Sequence, residues 1–148
     1  MRGSMYEFAG GDQAFLAFAT AFHARCLADP VLEHPFSHPG NPEHVQRLAE
    51  YWSEVFGGPP AFSDAHGGHS AMLEIHVRQG ADSDLGRRFV DAFVRAADDA
   101  GLPDQPEFRN GLRAYIEWAV GEVLSYSGED AEVEPELTMP HWGWSGPE

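Results

Sequence analysis

Histidines are the residues of this sequence best suited to bind a metal or to move a proton. The chain contains eight of them, and a neutral imidazole is the side chain that most often coordinates a metal in proteins. His76 lies one helical turn after Met72, so both side chains share one side of a short helix. His23 and His44 also fall in segments with helical periodicity. Each of these histidines taken alone is more often structural or solvated, and the sequence leaves a ligand role open as the alternative.

Two other features of the sequence are weaker candidates for a metal site or a reactive group. His66 and His69 could hold a metal between two flexible glycines, but the nearby partners that a zinc site requires are missing. Cys26 is the only thiol, and with Arg25 as its one basic neighbour it is expected to be a buried structural cysteine. The sequence contains no CxxC or HExxH motif, no nucleophile elbow, no phosphate-binding loop and no dinucleotide fingerprint.

The composition limits the partners of the chain. Its 148 residues carry a formal net charge of −15, which disfavours nucleic acids and anionic membranes, since both attract basic surfaces. The longest apolar run, Ala14–Phe22, is too short to cross a bilayer. All nine cationic residues are arginines, so we expect arginine to hold any bound carboxylate. With one cysteine and no recognisable leader, we expect a reduced, cytoplasmic, single-domain protein.

Glycine and proline divide the chain into segments with helical periodicity. The sequence shows no strand-like alternation of apolar and polar residues and no internal repeat. We therefore predict an all-α fold of two long helix pairs, with a loop and a short helix between the two pairs. Three helices are predicted to be capped by Asp12, by Asn41 and by Asp82 or Ser83, and two more begin near Met72 and at Glu107. The five helices are predicted to end at Asp29, Gly57, Gly80, Gly101 and Ser127. Residues 61–71 are predicted to form a loop.

Both ends of the chain differ from this helical body. Residues 1–4 look like an expression-tag remnant. Residues 128–148 open with an acidic stretch and close with a segment that contains proline and two tryptophans. We expect an extended tail there, with Trp142 or Trp144 packed onto the body. The remaining residues, 5–127, form the predicted domain.

The order of these features resembles the truncated, two-over-two haemoglobins, most closely the group II proteins of actinobacterial type. The resemblance covers residues 5–127 and rests on two double-glycine breaks followed by a histidine. The residues that carry it are Tyr6, Gly10-Gly11, Ala21-Phe22-His23, Asp29-Pro30-Val31-Leu32, Phe36, Phe56-Gly57-Gly58-Pro59, Phe62-Ser63, His69 and His76. It implies a globin-like two-over-two helical sandwich around haem b, iron protoporphyrin IX.

The resemblance also implies roles for particular residues around the haem. His76 matches the proximal iron ligand, whose second ring nitrogen usually donates to a carbonyl or carboxylate oxygen. Phe36 matches the aromatic residue that wedges the haem. Arg47 and Arg78 are candidates for pairing with the haem propionates. The further implied cofactor contacts are Leu48, Trp52, Phe62, His69, Met72 and Phe89.

On the distal side, this chain departs from the usual group II pattern at two positions. His23 stands where a tyrosine of the B helix is usual, and Phe89 stands where a tryptophan of the G helix is usual. Phenylalanine cannot donate a hydrogen bond, so His23 and His44 must supply any donor to a bound ligand. His44 matches the distal position on the E helix and is also a candidate sixth ligand of the iron.

These assignments imply a globin that binds O2 and other diatomic gases such as CO and NO. A distal histidine can also shuttle protons, which adds NO dioxygenation or peroxidase-like turnover as possible reactions. The acidic surface would suit a cationic, electron-donating reductase. One alternative is a non-haem metal-binding helical protein that uses His23, His44 and His76. Another is a haem-free interaction module, which would leave the inward-facing histidines unexplained.

Overall fold

The computed structural model describes residues 3–29, 44–66, 83–125, 140–144 and 146–147, without the side chains of His44, Ala65, His66, Ser83 and Val123. Within these ranges the chain forms helices and one small hairpin, in agreement with the predicted all-α class. In the same ranges no helix has the length and apolar character that crossing a membrane requires. The elements are α1 Met5–Ala9, α2 Asp12–Ala28, α3 His44–Val55, α4 Ala61–His66, α5 Ser83–Asp99, α6 Pro106–Ser125, β1 Trp142–Gly143 and β2 Gly146–Pro147.

Glycine sets the boundary between α1 and α2. Gly10 and Gly11 have backbone φ angles of 122° and 79°, in a region that residues with a Cβ atom rarely adopt. At the start of α1, the Ser4 hydroxyl caps the helix by accepting a hydrogen bond from the Glu7 amide at 3.1 Å. Ser4 belongs to the segment predicted to be a tag remnant, and in the folded chain that segment therefore supplies the cap of the first helix.

An aromatic cluster holds the long helices together. Helix α2 lies against both α3 and α5, and α5 packs against α6. The ring centroid of Phe18 on α2 lies 5.0 Å from that of Trp52 on α3 and 4.7 Å from that of Phe93 on α5. Trp52 and Phe93 are 4.9 Å apart. Aromatic pairs of this kind each add about 0.5–1.5 kcal/mol beyond the burial of their area, so this cluster is a main source of packing energy.

The long helices begin close to the predicted residues. Helix α5 starts at Ser83, as predicted. Asp12 was predicted to cap α2 but is its first helical residue, because Gly11 occupies the cap position. Helix α6 starts slightly earlier than predicted, at Pro106, where the side chain of Gln105 accepts a hydrogen bond from the Phe108 amide at 2.6 Å. The predicted end of α6 and the predicted cap of α3 lie outside the described residues.

Helix α4 shows that part of the predicted loop at 61–71 was wrong, because Ala61–His66 is helical. A buried carboxylate explains the difference. Glu54 of α3 is 4% exposed, and it accepts hydrogen bonds from the Ser63 amide at 2.9 Å and from the Ser63 hydroxyl. First-turn amides have no partner within their own helix, so Glu54 satisfies one of them from a neighbouring element. The rest of the predicted loop, and the short helix predicted after it, lie outside the described ranges.

The C-terminal segment packs onto the helices through both of its tryptophans. Trp142 is 6% exposed, and its ring lies 5.7 Å from that of Tyr115 on α6. The indole nitrogen of Trp144 donates a hydrogen bond to the Gly3 carbonyl oxygen at 3.0 Å, and its ring lies 5.0 Å from that of Phe8. The antiparallel strands β1 and β2 hold the two tryptophans in one hairpin. The expected packing of Trp142 or Trp144 is thus confirmed for both residues.

Arginine and aspartate side chains connect α2 to α5 at the surface. A guanidinium nitrogen of Arg25 lies 2.9 Å from a carboxylate oxygen of Asp99, and one of Arg88 lies 3.1 Å from a carboxylate oxygen of Asp29. The Arg25 guanidinium lowers the pKa of Asp99, because a hydrogen-bonded cation favours the charged carboxylate. Solvent screens these pairs, so they contribute little to the free energy of folding.

Cys26 is completely buried in α2, which agrees with the predicted structural thiol. Burial raises the pKa of the thiol to about 12, because an apolar environment disfavours the thiolate. At about pH 8 the native protein should therefore hold roughly 1000-fold less thiolate than an ordinary cysteine does. We expect iodoacetamide to alkylate Cys26 only after unfolding, as measured by mass spectrometry with Cys26→Ser as the control. Rapid alkylation of the native protein would contradict this expectation.

Candidate functional site

The structure describes one part of the predicted site and not the other. His44 is the first residue of α3, and its side chain is not described. The predicted site residues with described side chains are His23 on α2, Arg47, Leu48 and Trp52 on α3, Phe62 on α4 and Phe89 on α5. Phe36, His69, Met72, His76 and Arg78 lie outside the described residues, so their roles stay predictions.

Helices α2 and α3 run antiparallel, which brings the last turns of α2 beside the first turns of α3. Near the start of α2, Phe15 lies 5.9 Å from Phe56, which follows α3 directly. Further along α2, Phe22 lies 5.2 Å from Trp52, which is earlier in the chain than Phe56. His23 follows Phe22 and therefore lies at the end of the helix pair where α3 begins.

An apolar surface lies at this same end of the molecule. The ring of Phe89 on α5 stacks on that of Phe22 with centroids 6.1 Å apart, so α5 reaches this end too. Leu48, Leu85 and Phe89 are only partly buried, and each packs against the fully buried core. Mostly apolar surfaces with a few polar groups are typical of cofactor sites, and these side chains have the apolar character that such a site requires.

His23 is a polar residue at this same end of the molecule. Its side chain is half-buried, and burial lowers its pKa, because desolvation disfavours the charged imidazolium. The ring is therefore neutral at about pH 7, where an unperturbed histidine is already mostly deprotonated. A neutral imidazole has one donor and one acceptor nitrogen, so His23 can donate to a ligand or exchange a proton with it.

Arg47 supplies a second polar group, in the first turns of α3. Its Nε atom is buried and has no hydrogen-bond partner among the residues that the structure describes. Native proteins rarely leave such a donor unpaired, because an unsatisfied buried donor costs about 1–3 kcal/mol. A carboxylate is the usual partner of a guanidinium. A haem propionate is a carboxylate, so this orphaned donor fits a bound haem.

Two tyrosines that sequence reasoning did not assign to the site belong to one hydrogen-bond network with Trp52. The Tyr51 hydroxyl and the Trp52 indole both hydrogen-bond to the hydroxyl oxygen of Tyr115 on α6. Burial raises the pKa of Tyr115 far above its ordinary value, so its hydroxyl stays protonated. In the sequence, Tyr115 is one member of an apolar helical stripe, and no local pattern reveals its partners on another helix.

Phe62 of α4 packs against Tyr51 of α3. It is 4% exposed, and its ring meets that of Tyr51 edge-on at 5.1 Å; its predicted contact with a cofactor stays a prediction. Among the residues that the structure describes, no group of three histidine, cysteine, aspartate or glutamate side chains could hold a metal ion. The alternative metal centre of His23, His44 and His76 would need residues outside those ranges.

Comparisons with known proteins agree with this architecture. The model of the bacterial-like globin family matches residues 4–114, which is most of the chain. The haemoglobin of the thermophilic phototrophic bacterium Chloroflexus aurantiacus is 25% identical, with a TM-score of 0.70 over 81% of this chain and 96% of that chain.

Two further solved structures have the same fold. A thermostable haemoglobin of the actinobacterium Thermobifida fusca is 26% identical, with a TM-score of 0.68 over 81% of this chain and 95% of that chain. The group II truncated haemoglobin of Bacillus anthracis is 17% identical, with a TM-score of 0.72 over 82% of this chain and 95% of that chain. The chain therefore belongs to the bacterial-like globin family and is a haem-binding globin with the fold of the truncated haemoglobins.

Proposed function

We propose that this globin holds haem b with His76 as the proximal iron ligand, and that it binds O2, CO and NO on the distal side. When bound, the haem supplies an iron atom that takes up diatomic gases reversibly. The observation that carries the proposal is the placement of the half-buried, neutral His23 and of Arg47, whose buried Nε has no partner within the described part of the chain, at one end of α2 and α3. In a haem pocket, a donor of this kind would stabilise a bound gas, and a cation of this kind would pair with a propionate.

The apolar side chains at the same end of the molecule as His23 would keep water out of the distal site. Leu48 and Phe89 are partly buried against the core, and Trp52 lies deeper, within ring-contact distance of Phe18 and Phe93. A hydrogen bond is stronger where water is excluded. The lining would thus strengthen the hydrogen bond to the gas ligand and slow the oxidation of the haem.

We propose His23 and His44 as the distal donors. Phe89 stands at a position that could otherwise carry a donor, and its ring has none. A neutral distal histidine can also give a proton to a reacting ligand or take one from it. This ability supports NO dioxygenation or peroxidase-like turnover as a redox role of the same site. The net charge of −15 would favour a cationic reductase as the electron donor.

Replacing the donating histidine should accelerate the release of O2. A partly charge-assisted hydrogen bond contributes ~1.5–3 kcal/mol, and ~1.4 kcal/mol corresponds to a factor of ten in an equilibrium constant. We therefore expect His23→Phe, His44→Leu or both to raise the O2 release rate roughly 10- to 100-fold, as measured by stopped-flow mixing. His141→Gln changes an exposed residue of the tail and should leave the rate unchanged.

The same variants test whether His44 coordinates the iron directly. If it is the sixth ligand, the reduced, gas-free protein has a low-spin spectrum, and His44→Leu converts it to a high-spin spectrum. An unchanged spectrum in His44→Leu would contradict coordination by this residue. Unchanged O2 release rates in both variants would contradict the donor role of the two histidines.

A further inference from the structure

A series of buried contacts connects the C-terminal segment to helix α3. The ring of Trp142 meets that of Tyr115 edge-on, with centroids 5.7 Å apart and planes at 77°. The hydroxyl oxygen of Tyr115 in turn receives hydrogen bonds from Tyr51 and Trp52, both on α3. All four side chains are almost fully buried. We call Trp142, Tyr115, Tyr51 and Trp52 the aromatic brace.

The brace meets α3 one helical turn after the candidate distal residues. Tyr51 follows Arg47 by one helical turn, and Trp52 follows Leu48 by one helical turn. Side chains one turn apart lie on the same face of a helix. A shift of Tyr51 or Trp52 therefore moves the part of α3 that presents Arg47 and Leu48 to the site.

The Tyr115 oxygen is a critical link in this arrangement. Tyr115 is 1% exposed, so water has little access to the groups around its hydroxyl. Without this acceptor, the Tyr51 hydroxyl and the Trp52 indole are buried donors that have lost a partner, and buried donors are rarely left unpaired. Both side chains would lose the hydrogen bond that connects them to α6. The ring of Trp142 closes the other side of Tyr115 and holds it against α3.

We propose that Trp142 and Tyr115 are positioning residues, which fix α3 and thereby set the distance between the distal groups and the gas ligand. This inference rests on the proposed haem site. Both residues lie beyond the segment that the globin family model matches, which ends at residue 114. The C-terminal hairpin is thus part of the ligand-binding unit of this chain.

The first test follows the indole N–H of Trp52 by NMR in the full chain, with and without haem. Tyr115→Phe removes only the hydroxyl group, which includes the acceptor oxygen, and Trp142→Ala removes the ring that packs on Tyr115. We expect both substitutions to shift the Trp52 indole resonance and to speed its exchange with deuterated solvent. Trp144→Ala is the matched control, because its ring packs on α1 and on the start of α6, and it should leave that resonance in place.

The second test measures the release of O2 from the haem-loaded variants. We expect Tyr115→Phe and Trp142→Ala to change the rate in the same direction, and Trp142→Phe, which restores a ring, to return it toward the wild-type rate. An unchanged Trp52 indole in Tyr115→Phe and Trp142→Ala would overturn the proposal. So would equal rate changes in Trp142→Ala and Trp144→Ala, which would indicate general loosening. If the wild-type chain binds no haem, the proposed function fails, while the indole measurement still decides whether the brace holds α3.

Discussion

Replacing His76 with glycine is expected to abolish tight haem binding, and adding imidazole is expected to restore it. The neutral histidine ring is the proposed axial ligand, and its bond to the iron is the one strong, directional link between the protein and the haem. Loss of a residue that merely supports a metal ligand costs about 10–100-fold in metal affinity. Loss of the ligand itself should exceed roughly 100-fold, as measured by transfer of haem to a scavenging apoprotein.

A histidine outside the site provides the control for this experiment. His141 is exposed in the C-terminal segment, so His141→Gly should retain haem as well as the wild-type protein does. Rescue of His76→Gly by imidazole would show that the lost group is a ligand and not a packing contact. Wild-type haem retention in His76→Gly would mean that another residue holds the iron.

Replacing Phe93 with alanine is expected to be among the most destabilising changes in the described part of the chain. Phe93 is 0% exposed, and its ring contacts those of Phe18, Trp52 and Tyr115 at centroid distances of 4.7 Å, 4.9 Å and 6.2 Å. Truncation of a buried phenylalanine removes this packing and leaves a cavity, at a cost of about 3–5 kcal/mol. Since domains of this size are stable by only about 5–15 kcal/mol, the loss should appear as a large fall in the urea midpoint.

An exposed apolar residue provides the comparison for Phe93→Ala. Leu16 on α2 is 42% exposed, so Leu16→Ala should change the free energy of unfolding by no more than about 0.5 kcal/mol. Both variants are compared by urea unfolding, without haem and with haem, so that the effect on the core is separated from an effect on cofactor binding. Equal losses in the two variants would contradict the central position of Phe93.

The helical fold was predictable where local sequence patterns decide the structure. Apolar periodicity and glycine breaks placed α2 and α5 correctly, because these helices start at Asp12 and Ser83. Helix α4 was missed because its stabilising partner is distant in sequence. The buried Glu54 of α3 accepts a hydrogen bond from Ser63. The local sequence around Ser63 is rich in glycine, serine and histidine, and nothing in it indicates this partner on another helix.

The candidate site was predictable in the types of its residues but not in the contacts that hold them. Histidine chemistry and the globin resemblance selected His23 and Arg47, and the structure places both at one end of the α2–α3 pair. Sequence patterns alone did not reveal that Trp52 depends on Tyr115, since hydrogen bonds between α3 and α6 follow no local periodicity. The contact of Trp142 with Tyr115 could not be predicted from the sequence either, because it also joins residues that are distant in the chain.

The absorption spectrum of the purified protein tests the proposed haem site most directly. The spectrum is recorded in the ferric state, after reduction with dithionite and after addition of CO. We predict a Soret band that shifts when CO is added, because a haem with an accessible distal side binds this gas. Split low-spin bands in the reduced, gas-free protein would assign a sixth ligand such as His44, and high-spin bands would leave His23 and His44 as hydrogen-bond donors. The absence of a Soret band, even after haem is added back, would contradict the haem site.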